Sequence, residues 1–171
     1  MGERLLLMDM LEVGNDDLTH EEAKFHFTVR SFLKSPLLVG THLADASPET
    51  LEILKNTEII AINQDPVVAD AVPPNWTPDA RFPAQYWSGE SENGTVIMML
   101  NTRDEPAHMF FSLTESPWLR AGRQYFVRVT WTKVLKELRD RHFFATFDFA
   151  DSLRSQQVFG KLELRTAPVV F

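Results

Sequence analysis

The pattern of the chain changes at Asp65-Pro66, and no single regular architecture fits both sides of that point. Upstream, apolar residues recur at helical spacing between short apolar runs. Thr19 and Glu22 form a T-x-x-E capping box, in which the hydroxyl accepts from the third helical N–H and the carboxylate reaches back. The spacing predicts a helix from about Glu21 to Lys34, with Phe25, Val29, Phe32 and Leu33 on one face and Pro36 ending it. Pro36 to Val39, closed by Gly40, reads as a strand buried on both faces, as in a parallel sheet. Met8 to Val13 reads as the strand before it. Ser47 is a good N-cap, Pro48 suits the first helical position, and Leu51 and Leu54 share a face. The order strand–helix–strand–helix is an α/β signature.

Downstream, Pro66, Pro73, Pro74, Pro78 and Pro83 mark an irregular connection. β-type runs follow at 85–87, 95–100, 109–113 and 124–131. Asn93-Gly94 between two such runs is a strong hairpin cue, and short strands with polar turns predict an antiparallel sandwich. From Lys133 to Arg141, Val134, Leu135 and Leu138 among charged residues predict a short helix, and 143–171 alternates weakly.

Composition narrows the function. The net charge of −7 and pI near 5.2 oppose nucleic acid or an anionic membrane as partner, since both need clustered Lys and Arg. Cysteine is absent, which excludes disulfides, thiolate metal sites and a cysteine nucleophile. No stretch has the roughly 20 apolar residues of a membrane span. The run Leu5 to Met8 is too short for a signal-peptide core.

Motifs are sparse. His20, His26, His42, His108 and His142 include no i, i+4 pair, so no metal is expected. Phosphate-cradling glycine loops and a G-x-S-x-G elbow are absent. Asp9 ends a strand-like run, where an α/β barrel carries its site. Asp16, Asp17, Glu21 and Glu22 suit the positive end of a helix. Trp76, Tyr86, Trp87, Trp118 and Trp131 are expected mostly to fill or cover a β core rather than stack on sugar rings. Asn75-Trp-Thr77 and Asn93-Gly-Thr95 have the form of glycosylation acceptors.

Read in register, Asp9-Met-Leu-Glu-Val-Gly-Asn15, Leu18-Thr19 with Glu21-Glu22, Lys34-Ser-Pro-Leu-Leu38, Ser47-Pro-Glu-Thr50 and Ile60-Ala-Ile-Asn-Gln-Asp-Pro66 resemble the α-galactosidases (melibiases) of glycoside hydrolase family 27. Pro83-Ala-Gln-Tyr-Trp-Ser-Gly89 and Arg120-Ala-Gly-Arg-Gln124 resemble the β-domain of fungal members. The resemblance covers about Met8 to Trp131. It implies α/β followed by all-β: the last two βα units of a (β/α)8 barrel over 1–66, a Pro-rich connection over 67–84, an antiparallel β-sandwich over 85–132, and a tail over 133–171 that does not match the family.

The implied activity is retaining hydrolysis of terminal α-galactosyl residues from galactosides and oligosaccharides, without metal or organic cofactor, in a secreted protein. Such chemistry uses one carboxylate as nucleophile and another as acid/base. The family's motifs for both are not in this chain, so no catalytic residue is assigned and the chain alone is expected to be inactive. Asp9 and Met10 match the end of the family's Asn-Asp-x-Asp-Met stretch and are expected at the substrate pocket. The family's Gly-Asn-Gly-Gly reads Gly14-Asn-Asp-Asp17, its helix tryptophan is Arg30, and its Cys-Asp-x-Arg reads Thr41-His42-Leu43-Ala44. A length of 171 residues, below the roughly 200 of a small barrel alone, reads as truncation. The rival reading is a non-catalytic β-domain that binds carbohydrate or a partner through Tyr86 and Trp87.

Overall fold

The computed structural model describes residues 10–15, 18–67, 86–92, 94–101, 109–112, 116–119, 125–138, 144–147 and 156–163. Three helices come first: α1 (His20–Phe32), α2 (Pro48–Leu54) and α3 (Thr57–Gln64). Seven strands follow: β1 (Tyr86–Ser91), β2 (Gly94–Asn101), β3 (Met109–Ser112), β4 (Tyr125–Val129), β5 (Val134–Leu138), β6 (Phe144–Phe147) and β7 (Gln156–Glu163).

Each helix begins on a side chain that satisfies its open N–H groups. The predicted capping box is formed: Thr19 Oγ1 accepts from Glu22 N–H at 3.3 Å, and Glu22 Oε2 accepts from Thr19 N–H at 2.8 Å. Ser47 Oγ accepts from Thr50 N–H, with Pro48 at the first helical position. Asn56 Oδ1 accepts from Glu58 and Ile59 and opens α3, a helix that the sequence pattern did not single out.

The end of α1 departs from the simple proline stop. Lys34 takes φ 56°, Ser35 N–H donates to Arg30 O, and Lys34 N–H donates to Ser31 O. That is a Schellman motif with lysine in the glycine position. The left-handed backbone costs an L-residue about 1 kcal/mol. Lys34 Nζ offsets it by donating to the Ile62 carbonyl and to Asp65 O at 3.2 Å, so one side chain closes α1 and caps α3. Burial lowers the Lys34 pKa, opposed by the charge of Asp65.

The α1 face also differs from the expected stripe. Phe25, Val29 and Leu33 are half-buried, whereas Ala23, Phe27, Thr28, Arg30, Ser31 and Phe32 are buried. The helix lies against α2, α3 and β7 at once, so more than one stripe is covered. Arg30 is among the most buried side chains of the described residues, and its Nη2 donates to Pro36 O.

Among the described residues the predicted parallel pair shows one bridge, Leu11 to Val39. The β part is antiparallel, with a five-stranded sheet in the order β1-β2-β7-β4-β5 and a second sheet of β3 and β6. The Asn-Gly cue is met: Ser91 pairs with Gly94, leaving a two-residue loop, and Gly94 has φ 143°. The helix expected within 133–141 is instead the strand β5, whose Val134 pairs with Val129 across a tight turn. Lys133 takes φ 57° in that turn, which aims the chain back along β4. Tertiary pairing overrides the weak local helix preference.

Helices and sheet share one core. Leu11, Val13, Phe27, Ile53, Ile59 and Ile62 belong to the same buried cluster as Val96 and Met98 of β2. Trp87 and Trp131 pack against it, as expected for core-covering aromatics. Among the described residues no helix is long and apolar enough to cross a membrane.

Candidate functional site

Polar side chains gather at two places among the described residues. The first is the end of the parallel pair. Leu11 N–H donates to Leu38 O at 2.7 Å, and Gly40 N–H donates to Leu11 O at 3.0 Å. A Cβ on Gly40 would stand 3.1 Å from Leu11 O and 3.3 Å from Met10 Cβ, so glycine permits this close approach. Met10 lies over Gly40 with half its surface exposed. The chain then turns at Gly14, whose φ of 89° and position only 2.5 Å (as a Cβ) from Thr50 Cγ2 admit no side chain.

The hydrogen bonds around this turn are closed within the protein. Thr41 Oγ1 donates to Val13 O, and Asn15 Nδ2 donates to Glu12 Oε2. Glu12 N–H donates to His26 Nε2 at 3.2 Å, which requires that nitrogen to be unprotonated. Burial pushes the His26 pKa down, and the Arg30 charge pushes it the same way. A hydrogen bond to the Met10 backbone and the Glu12 charge oppose them. A neutral His26 therefore holds the strand end from the first turns of α1. His42 Nδ1 and Asp45 Oδ2 lie 2.7 Å apart in a fully solvated pair.

The second place is the joint between α3 and β4. Arg128 Nε lies 3.0 and 2.9 Å from the two Glu58 oxygens, with a second contact from Nη2. Such a forked arrangement fixes direction as well as charge. Asp65 accepts Val67 N–H at 2.9 Å and Glu92 N–H at 3.1 Å, tying the end of α3 to the β1–β2 turn. A cavity of about 180 Å³ lies between them, bordered by Glu58, Asp65, Ser91 and Arg128. Lys24 Nζ stands 5.7 Å from the Trp131 ring centre, a further tie between α1 and the sheet.

Of the residues singled out in the sequence, Met10 is placed at the bridge. Asp9, Asp16, Asp17, Asn75, Trp76, Asn93, His108 and His142 lie outside the described residues. Among the described residues no three His, Cys, Asp or Glu converge as metal ligands. Glu12 and Asp45 are each engaged by a neighbour. They do not form the pair of carboxylates facing a common space that glycoside hydrolysis needs. Sequence reasoning missed His26, Glu58 and Arg128. His26 carried a weak signal as a polar residue inside an amphipathic helix. Glu58 and Arg128 carried none, because they are 70 positions apart.

Solved structures match this arrangement of a parallel strand contact around a helix followed by an antiparallel sheet. α-Galactosidase I from Mortierella vinacea superposes with a TM-score of 0.68 and 28% identity over 89% of this chain and 38% of that one. An α-galactosidase from Saccharomyces cerevisiae, solved with raffinose, gives 0.60 and 29% over 72% and 30%. The family described as alpha galactosidase A matches residues 6–65. The probable α-galactosidase B of Aspergillus oryzae is 42% identical over 137 residues, 72% of this chain and 31% of the relative. The chain belongs to the α-galactosidases of glycoside hydrolase family 27 and is close to fungal α-galactosidase B over the part it covers. It spans about a third of the length of the curated relatives it matches.

Proposed function

We propose that the chain is the part of a fungal-type α-galactosidase that contributes the last two βα units of a (β/α)8 barrel and a β-sandwich domain. The whole enzyme would release terminal α-galactosyl residues from galactosides and oligosaccharides. The observation that carries this reading is the 42% identity to α-galactosidase B over 72% of the chain. The parallel Leu11–Val39 contact, with α1 between its two segments, supports it. The raffinose in the yeast structure supports an oligosaccharide as substrate class.

In this reading Asp9 and Met10 border the sugar pocket at the end of the first barrel segment, without taking part in bond cleavage. The retaining reaction needs a carboxylate to attack the anomeric carbon and a second to protonate the leaving oxygen and then activate water. The sequence motifs that carry both in the family are not in these 171 residues, so the chain alone binds no transition state. The secretory route is proposed for the whole protein on the two sequons at Asn75 and Asn93.

The test is incubation of the purified chain with p-nitrophenyl α-galactoside and with raffinose. The expected result is no release above a buffer blank. Turnover above that blank overturns the placing of both catalytic carboxylates outside these 171 residues.

A further inference from the structure

The cavity of about 180 Å³ at the joint between α3 and the sheet has no part in the galactoside reading. Ala61, at its rim, is exposed, so solvent reaches it. Ile62, Ser91 and Val96 border it and are buried. Ser91 is only 7% exposed, and among the described residues its Oγ has no hydrogen-bond partner. A buried hydroxyl is ordinarily satisfied by the protein, by an ordered water or by a ligand.

The polar lining is Glu58, Asp65 and Arg128, and each charge there is matched. Arg128 forks onto Glu58. Asp65 accepts the N–H groups of Val67 and Glu92, and its charge acts on the nearby Lys34 ammonium. An ion would therefore find no uncompensated charge to bind. Neutral hydroxyls would find acceptors. A carboxylate has about four lone-pair positions, and among the described residues Glu58 and Asp65 each receive two N–H groups. The rest of the lining, Ala61, Ile62 and Val96, is apolar. Water alone would leave those side chains without partners. A ring with hydroxyl edges and a C–H face meets both kinds of wall. The volume equals about six waters at about 30 Å³ each, which is the scale of one small ring rather than a drug-sized ligand.

We propose that this cavity binds one neutral polyhydroxy ring of monosaccharide size. Its hydroxyls would lie on Glu58, Asp65 and Ser91, and its C–H face on Ile62 and Val96. Occupancy here requires no catalytic carboxylate, so binding and turnover are independent readouts.

The test is amide NMR of the full chain, titrated separately with D-galactose, D-glucose and myo-inositol. At least one is expected to give saturable shifts at Glu58, Ile62, Ser91 and Val96, with a millimolar Kd. Putrescine and inorganic phosphate, the ionic controls, are expected to give none. Ala61→Phe places a ring at the exposed rim and is expected to abolish the shifts. Ser91→Ala removes one hydroxyl and is expected to weaken binding about three- to tenfold. Glu52→Gln, exposed on α2, is expected to change nothing.

No saturable shift at these amides with any of the three compounds overturns the proposal. So does putrescine or phosphate binding there in their place. Binding that survives Ala61→Phe, or that Ser91→Ala leaves unchanged, overturns it too. Shifts confined to Met10, Gly40 and Leu43 do the same, because the ring would then sit at the strand end instead.

Discussion

The helical part and the sheet reach order by different routes. Each helix in residues 18–67 starts on its own cap, Thr19, Ser47 or Asn56, and α1 ends on a motif written within the six residues Arg30 to Ser35. The five-stranded sheet depends on partners far apart: Glu163 of β7 pairs with both Gly94 and Phe126, and β7 sits between β2 and β4. Yet Val96 and Met98 share a core with Phe27, Ile59 and Ile62. Local rules place the helices, non-local pairing places the strands, and one apolar cluster joins them. The two parts should therefore unfold together, although they are specified at different ranges.

Core truncation is the strongest way to break that comparison. Phe27→Ala, on the helical side, is expected to cost about 3–5 kcal/mol, and Met98→Ala, on the sheet side, about 2–5 kcal/mol. Urea unfolding followed separately by far-UV and tryptophan signals checks both. Each variant should lower one common transition, and two separate transitions would split the halves.

A smaller change tests the local code alone. Thr19→Ala removes the α1 capping box and should cost about 1 kcal/mol, with a fall in midpoint and an unchanged slope in the same titration. Next comes the tie across the joint. Glu58 and Arg128 are partly exposed, so solvent screens them and their coupling should be about 0.5–1 kcal/mol. A double-mutant cycle of Glu58→Gln and Arg128→Met measures it, and a value near zero would remove this pair as a link between the halves.

The smallest effect is a pH dependence. His26 is harder to protonate folded than unfolded. The unfolded chain therefore binds more protons below the ordinary histidine value of about 6.5. Stability should be level above that pH and decline as pH falls from it toward the lowered folded value. His26→Gln should flatten that segment of a melting-temperature profile. An unchanged slope would show that His26 does not titrate between the states.

Much of the helical part was legible in the sequence because caps are short-range. A hydroxyl, a carboxylate and their spacing suffice to name Thr19 and Ser47, and Asn93-Gly94 names its hairpin in the same way. The α1 face was read less well. Phe25, Val29 and Leu33 satisfy the periodicity, but burial of Arg30 follows from neighbours on several sides that no stripe encodes. The strand β5 was hidden because Lys133–Arg141 has helix-like local composition, and its strand state comes from pairing with β4.

The sequence by itself determined the caps, the Asn-Gly hairpin, the family resemblance and the absence of both catalytic motifs, since each is a property of residues near one another in the chain. Tertiary structure alone decided that β7 lies between β2 and β4, that Glu58 meets Arg128, and that Val39 stays exposed beside a buried Leu11. Those outcomes depend on which distant surfaces come together. Burial and pairing energies are set by that meeting and are written in no local pattern.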